Sequence, residues 1–327
     1  MISILAALWL ALVLDWIVGE PKALWQRLPH PVVSAGRLID WLDRTFNREG
    51  DAGPARLRAG AIAFAGLVIA AIIAGMLIEG LLAFLGPVSW MGEGVLASVL
   101  IAQKSMRDHV NAVVSALRED GLEAGRKAVS QIVGRDPAML DRPGVTRASI
   151  ESLAENFSDG VVAPAFWFAI GGLPGLFAYK MINTADSMIG HRSERHEQFG
   201  KVSAIADDLA NWVPARLSAG LVAVAAAGVA GRSAAANAIA TAFGDAGLHR
   251  SPNAGWPEAA MAGALDIQLG GARIYQGETV SQAHLNSSGR PVEGAVDISR
   301  ALQLFDHACF CLWALVAAAL MFSLLAA

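Results

Sequence analysis

Charge is what this chain has least of. Asp, Glu, Lys and Arg make up 17% of its 327 residues, against 54% that are hydrophobic. Ordinary soluble domains carry about 25% charged residues, so the composition excludes a soluble globular protein as the default and points to a membrane protein. Basic charge is lacking in particular. The formal net charge is -4, and without a basic face there is no footprint for nucleic acid. Cysteine is nearly absent too: Cys309 and Cys311 stand in an apolar C-terminal run. Residues two apart on a helix do not face each other, and no further Cys can complete a thiolate metal site. Both are expected to pack within the membrane. Two motifs are missing as well. There is no Gly-x-x-x-x-Gly-Lys-Ser/Thr loop, so a nucleotide would be held by another device. Neither a Gly-x-Ser-x-Gly elbow nor a Ser-His-Asp order suggests a serine hydrolase. No internal repeat, low-complexity tract or strand ladder is visible.

What is present is a series of apolar runs broken by polar loops, which predicts an all-α, polytopic integral membrane protein with amphipathic cytoplasmic helices and loops. Spans are expected near 1–18, 59–80, 88–103, 213–231 and 308–327, within one membrane-embedded domain. Met1 to Val18 lacks a preceding basic residue and a small-x-small cleavage site, and so resembles an uncleaved first span. Lys22, Arg27 and Arg37 follow it, which places the next loop in the cytoplasm. The run from Ala59 is too long for one crossing, and Gly86-Pro87 divides it. Val110, Val113, Val114 and Leu117 form one stripe of an amphipathic helix expected over Gln103 to Ala128. A further helix is expected from Thr146, capped by its hydroxyl.

The stretch from Val161 to Tyr179 contains Pro164, Gly171, Gly172, Pro174 and Gly175. Such a segment suits a re-entrant helix, because broken backbone at membrane depth survives only where protein or water satisfies it. If it crossed fully, and 213–231 did too, residues 180–212 would lie outside, away from cytoplasmic ATP. A re-entrant 161–179 with a hairpin over 213–248 keeps 104–160, 180–212 and 250–306 together on the cytoplasmic side.

Those cytoplasmic segments hold the acidic and amide residues. Glu151, Glu155 and Asp159 recur at i, i+4 and i+8, on one helical face, with no Lys or Arg from Ala148 to Asp159 to neutralise them. Asn183 and Asp186 stand at i, i+3, and Asp207 and Asn211 at i, i+4, with Asp208 beside them. Each cluster alone fits an acidic surface or a helix cap. Three together, next to membrane, favour a cation, since Mg²⁺ takes one or two carboxylates plus phosphate oxygens and waters. Donors for phosphate surround them: Lys180, His191, Arg192, Arg195, Lys201 and Arg216. The expectation is that all three clusters converge on one cytosolic pocket.

Several longer motifs then carry a family resemblance. They are Asp15-Trp16 with Gly19-Glu20-Pro21, Leu28-Pro29-His30-Pro31-Val32, and Val133-Gly134-Arg135-Asp136. Ile150-Glu151-Ser152-Leu153-Ala154-Glu155-Asn156 continues to Asp159-Gly160-Val161-Val162-Ala163-Pro164. Tyr179-Lys180 leads to Asn183-Thr184-Ala185-Asp186-Ser187-Met188-Ile189-Gly190, followed by Asp207-Asp208-Leu209-Ala210-Asn211 and Pro214-Ala215-Arg216-Leu217. Last comes Arg250-Ser251-Pro252-Asn253-Ala254-Gly255-Trp256-Pro257-Glu258. In this order they resemble the adenosylcobinamide-phosphate synthase (CobD/CbiB) family of cobalamin biosynthesis, over nearly the whole length. Glu20, Ala185 and His191 depart from the family pattern without removing a candidate carboxylate or amide.

The resemblance implies an ATP-dependent ligase of the inner membrane with its active site facing the cytoplasm. It would join adenosylcobyric acid to (R)-1-amino-2-propanol or its phosphate, giving adenosylcobinamide or its phosphate. ATP and Mg²⁺ are the implied cofactors, and cobalt arrives inside the corrinoid substrate rather than on the protein. Membrane lipid and other late cobalamin-pathway enzymes are the implied partners. Glu151, Glu155, Asp159, Asp186, Asp207 and Asp208 would serve catalysis, and all but Glu151 would serve the metal. Arg135, Asn156, Lys180, Asn183, Arg192, Asn211, Arg216 and Asn253 would bind substrate and phosphate. Two rivals remain: an intramembrane Mg²⁺-dependent prenyltransferase, and a transporter with 161–179 lining a midplane site.

Overall fold

The computed structural model describes residues 2–19, 25–134, 137–191, 193–271, 273–275, 278–280 and 283–327, with the backbone alone at 273–275 and 278–280. The chain is a polytopic helical membrane protein. Segments Gly53–Glu119, Arg142–Ile189, Trp212–Ala230 and Ala295–Leu325 are long and apolar enough to cross a membrane, and Ile2–Val18 is a shorter apolar helix. Contacts divide the chain into two compact units. The first holds Met1–Ile101, Ala163–Asn211 and Ala319–Ala327; the second holds Ala102–Val162 and Trp212–Ala318.

In the first unit, α1 (Ile2–Val18) packs on α4 (Ser89–Ser98), and α2 (Pro31–Phe46) lies against α3 (Gly53–Leu82) and α8 (Ala163–Ile189). The expected break at Gly86-Pro87 is there: a short 3₁₀ turn, Ala83–Val88, has Gly86 at φ 62°. His30 caps α2, its Nδ1 accepting from Val32 N at 3.2 Å, with Pro31 in the first turn. Ile39, Phe64, Leu67, Ala185, Ile189 and Phe199 form an apolar core that joins α2, α3 and α8.

α8 is interrupted, and the interruption has one location. Pro164 follows just after a π-helical turn, Phe157–Val162, and gives the helical ladder no N–H there. The break comes at Gly171 (φ −129°, ψ 17°) and Gly172 (φ 58°, ψ −148°), a left-handed step that favours glycine. The second half then restarts with Pro174 in its own first turn. Its Leu173 N–H would be an orphan donor in apolar surroundings, where an unsatisfied group costs several kcal/mol. Glu79, on the long apolar run of α3, supplies the acceptor: Oε1 lies 2.8 Å from Leu173 N. That bond accounts for a carboxylate inside a candidate span.

A second polar knot ties the loop after α8 to α2 and α3. Asp43 Oδ2 accepts from Arg195 Nε at 2.9 Å and Nη2 at 2.8 Å, and Asn47 Nδ2 donates to Asp43 Oδ1 at 2.7 Å. Arg56 donates to Asn47 Oδ1 and to the Arg195 carbonyl, and His196 Nε2 stands 3.5 Å from Asp43 Oδ2. Burial pushes the Asp43 carboxyl up. Hydrogen bonds from Asn47 and Arg195, with the charges of Arg195 and His196, outweigh it and hold the group below its usual range.

In the second unit the amphipathic stripe is buried as expected: Val110, Val113, Val114 and Leu117 are 0–6% exposed. The single helix expected over 103–128 is two, α5 (Gln103–Glu119) and α6 (Leu122–Val129), because Gly121 takes φ 88° between them. The helix expected from Thr146 starts earlier, as α7 (Arg142–Asn156). Asp141 is its cap, with Oδ1 2.7 Å from Gly144 N, and Pro143 fits the first turn. Thr146 instead donates to the Arg142 carbonyl at 2.9 Å. A π-helical turn, Phe157–Val162, follows α7.

After α9 (Lys201–Ala210) in the first unit come α10 (Trp212–Ala230), α11 (Arg232–Asp245) and α12 (Gly255–Leu265) in the second. Residues 250–306 read as a polar, soluble-looking segment, yet every residue of α12 except Trp256 is buried. Its alanines and glycines give little hydropathy signal but allow close packing on α10 and α11. Four short strands follow among the described residues. β1 (Leu269–Gly270) pairs antiparallel with β4 (His284–Leu285), and β2 (Arg273–Tyr275) with β3 (Glu278–Val280). The chain closes with α13 (Ala295–Leu325), which starts well before the expected 308. Cys309 on it is buried and Cys311 partly so.

Two outcomes follow from the polar contacts. Glu79→Leu should lower unfolding stability by about 1–3 kcal/mol, the range for an orphaned buried donor, while Glu79→Gln keeps an acceptor and most of the stability; denaturation in detergent micelles compares them. Asp43 contributes stability present above the unfolded carboxylate pKa of about 3.9 and lost as pH falls through its lower folded value. Asp43→Asn should therefore be less stable at pH 7 by about 1–2 kcal/mol and less sensitive to acid, as thermal melts across a pH series would show.

Candidate functional site

The acid and amide residues of the first unit come together where α8 meets α9. Asp207 is buried on α9. Its Oδ1 accepts from Asn183 Nδ2 at 3.3 Å, and its Oδ2 from Asn211 Nδ2 at 2.9 Å. Asn211 is the C-cap residue of α9, with its N–H 2.9 Å from the Asp207 carbonyl. Its Oδ1 in turn accepts from the buried Tyr179 hydroxyl at 3.0 Å. Tyr179 and Asn183 are one turn apart on α8, so the four side chains form a connected set between two helices. Trp167 adds a bond across the same seam, its Nε1 donating to the Ala210 carbonyl at 3.1 Å.

Asp186 lies one turn beyond Asn183 and is half-buried. Burial first, and then the charges of Asp186 and Asp208, push the Asp207 carboxyl up to about 6, although the Asn211 and Asn183 amides pull it down. Ionising Asp207 here opposes a neighbouring negative charge in poor solvent, a state that a proton or a divalent cation relieves. Gly190 makes room for Asp186: a Cβ there would stand 1.9 Å from Asp186 Oδ1. Asp208 is exposed. Lys180 and Thr184, on the next face of α8, line an apolar cavity of about 320 Å³ with Pro31, Val32 and Phe177.

The second unit holds the remaining candidates. Glu151 on α7 is buried, and its Oε1 accepts from Gly270 N at 2.7 Å, so this carboxylate anchors β1. Glu155 is exposed and Asn156 half-buried, its Nδ2 2.9 Å from the Ser152 carbonyl. The expected i, i+4, i+8 face stops there. Asp159 sits in the π turn, whose extra residue per turn shifts it out of α-helical register. Ala102 N donates to the Gly160 carbonyl of that turn at 2.9 Å. Ser158 Oγ is buried there without a hydrogen-bond partner among the described residues. Arg216 on α10 donates from Nη1 to the Trp212 carbonyl at 2.7 Å and to Asn253 Oδ1 at 3.3 Å. Arg135 and Arg192 lie outside the described residues.

The structure thus groups Asn183, Asp186, Asp207, Asp208, Asn211 and Lys180 in one unit, and Glu151, Glu155, Asn156, Asp159, Arg216 and Asn253 in the other. Among the described residues no three His, Cys, Asp or Glu side chains gather into a preformed metal cage. Mg²⁺ does not require one, since it dehydrates reluctantly and takes substrate phosphates as ligands. The oxygen-only donors at Asp186 and Asp207, with raised proton affinity at Asp207, fit that ion. Tyr179, Trp167, Trp212 and Trp256 were not among the candidates from sequence. Tyr179 adjoins Lys180 in a motif and Trp256 lies within the Arg250 to Glu258 motif, which were the available signals; Trp167 and Trp212 had none.

A family model described as CobD/Cbib protein matches residues 8–305. Curated proteins similar to the chain carry the name "Cobalamin biosynthesis protein CobD". One from a Sinorhizobium species is 55% identical over 307 residues, covering 94% of this chain and 95% of its own length. One from Brucella suis is 54% identical over 302 residues, covering 92% of each. One from Rhodobacter capsulatus is 46% identical over 301 residues, covering 91% of each. No solved structure matches.

Asp207 gives a pH signature. Its folded pKa, about 6, lies above the reference value of 3.8, so its contribution to stability is full below the unfolded value and is lost as pH rises through about 6. The loss is on the order of 3 kcal/mol. In metal-free protein, stability should fall between pH 4 and 7, and Asp207→Asn should flatten that fall; differential scanning calorimetry checks both.

Proposed function

This chain belongs to the CobD/Cbib family, and from that premise we propose that it is the ATP-dependent ligase of cobalamin biosynthesis that forms the aminopropanol amide of adenosylcobyric acid. The amine is 1-amino-2-propanol or its phosphate, and the product adenosylcobinamide or its phosphate. The proposal includes placement in the cell inner membrane with the working side toward the cytoplasm, where ATP is found.

The observation that carries this reading is the Asp207 set. A carboxylate held between two asparagine amides, beside a second carboxylate and pushed up to about 6, is poised to gain positive charge. The substrate carboxylate cannot acylate an amine directly, because its oxide leaves poorly. Taking the terminal phosphoryl group of ATP turns that oxygen into phosphate, which leaves when the amine nitrogen attacks. One proton is released from the amine, and ADP and phosphate are the other products. Mg²⁺, when bound, supplies charge neutralisation for the nucleotide phosphates.

The chain's own residues position and neutralise. Asp186, Asp207 and Asp208 would hold the cation, with Asn183 and Asn211 fixing the Asp207 oxygens and Tyr179 fixing Asn211. A carboxylate whose pKa nears working pH also takes a proton more readily than an ordinary aspartate, which suits Asp207 to receive the amine proton when it is not engaged with the cation. Lys180 would face phosphate. In the second unit Glu155, Asp159 and Asn156 are the proposed amine- and cation-facing groups, while Glu151 acts by holding β1. Arg216 and Asn253 would meet substrate oxyanions, and Arg135 and Arg192 are proposed for phosphate. Positioning plus electrostatics is what phosphoryl transfer asks of a protein.

Purified protein in detergent, given adenosylcobyric acid, aminopropanol or its phosphate, ATP and Mg²⁺, should yield the corresponding amide by mass spectrometry. Asp186→Ala and Asp207→Ala should each lower the rate by about a hundredfold or more while inserting normally. No ATP-dependent amide from the wild type would overturn the reaction, and full activity in both variants would overturn the site.

A further inference from the structure

Arg216, in the second unit, is set among indole rings and neutral oxygens. Arg216 is half-buried on α10, and its Cζ stands over the Trp212 ring at 4.3 Å and over the Trp256 ring at 4.7 Å. Its hydrogen bonds, both from Nη1, go to the Trp212 carbonyl and to Asn253 Oδ1. Among the described residues it has no carboxylate partner. Several other arginines do meet carboxylates: Arg195 pairs with Asp43, Arg290 with Asp297, Arg107 with Asp306 and Arg126 with Glu123.

The surroundings of Arg216 are built rather than incidental. Asn253 is 5% exposed. The turn that presents it is closed by Ser251 Oγ, which accepts from Asn253 N at 3.2 Å and Ala254 N at 3.1 Å, and by His249 Nδ1, which accepts from Ser251 N at 3.0 Å. His249 Nε2 lies 3.7 Å from Oε1 of the buried Glu258 on α12. Trp256 opens that helix and is braced edge-on by Phe243, with ring centroids 5.3 Å apart.

Indole faces stabilise a guanidinium without cancelling its charge. Nη1 is occupied by neutral oxygens, and among the described residues the Nε and Nη2 hydrogens have no acceptor; that edge of the fork is the one that makes paired bonds to a carboxylate or phosphate. We propose that Arg216, held by Trp212, Trp256 and Asn253, is an oxyanion-binding subsite for a substrate carboxylate or phosphoryl group, and that the two tryptophans act as positioning residues that aim it. The assignment of the anion to a ligase substrate rests on the function proposed above; the binding of an oxyanion does not.

The test uses full-length protein in nanodiscs, with propionate and inorganic tripolyphosphate as probes in equilibrium binding. Arg216→Gln should weaken one probe by about tenfold or more, a loss of about 1.4 kcal/mol. Arg216→Lys should not restore it, because an ammonium cannot present the paired edge. Trp256→Leu should weaken the same probe several-fold and Trp256→Phe should retain it, which separates aiming from mere packing. In turnover, a raised KM for the corrinoid acid marks the carboxylate as the bound group, and a raised KM for ATP marks the phosphoryl. Equal binding of both probes by wild type and Arg216→Gln would overturn the subsite even if ligation is active. Binding that tracks only the anionic lipid content of the nanodisc would assign Arg216 to a headgroup and overturn it likewise. Probe binding lost in Arg216→Gln without amide synthesis in the wild type would keep the subsite and remove the ligase.

Discussion

Polar and ionised groups placed in apolar surroundings must each find a partner, and this protein is arranged around how it finds them. Glu79 answers the exposed amide of a broken helix, Asp43 answers Arg195 and Asn47, and Glu151 answers the Gly270 amide. Each of these carboxylates is consumed by structure. Asp207 differs. Its hydrogen-bond partners are neutral amides, its nearest charges are those of Asp186 and Asp208, and its proton affinity rises accordingly. The contrast separates carboxylates that hold the fold from one that the fold holds out for something else.

The same contrast orders the cations. Arginines that meet carboxylates, such as Arg195 and Arg290, fasten loops. Arg216 meets indoles and neutral oxygens instead. Its charge is therefore left to be met by something other than a neighbouring carboxylate among the described residues.

Much of this was legible in the residues. The stripe Val110, Val113, Val114, Leu117 declared a buried helical face, and Gly86 and Gly171-Gly172 marked breaks, because periodicity and punctuation are local. The i, i+4 spacing of Asp207 and Asn211 put them on one helical face, while the bond from Asn183 to Asp207, across 24 positions, had no such local sign. Other features had no local trace. The bond from Asp43 to Arg195 joins residues 152 positions apart, and α12 hides its burial behind small residues of modest hydropathy. The cap of α7 went to Asp141 rather than Thr146 because a carboxylate followed by proline begins a helix better than a hydroxyl inside it. Glu151, the most prominent acid of its motif, proved tied to a backbone amide, which spacing alone could not disclose.

The interruption of α8 has a mechanical consequence. A continuous rod spanning a bilayer tilts as a whole when the lipid thickens or thins, and any side chain at its far end is swung through an arc. At Gly171-Gly172 the hydrogen-bond ladder is cut, and the part bearing Tyr179, Asn183 and Asp186 is moored to α3 through Glu79. Torque on the leading segment is therefore absorbed at the two glycines, and the segment beyond them keeps its bearing while the lipid around it breathes.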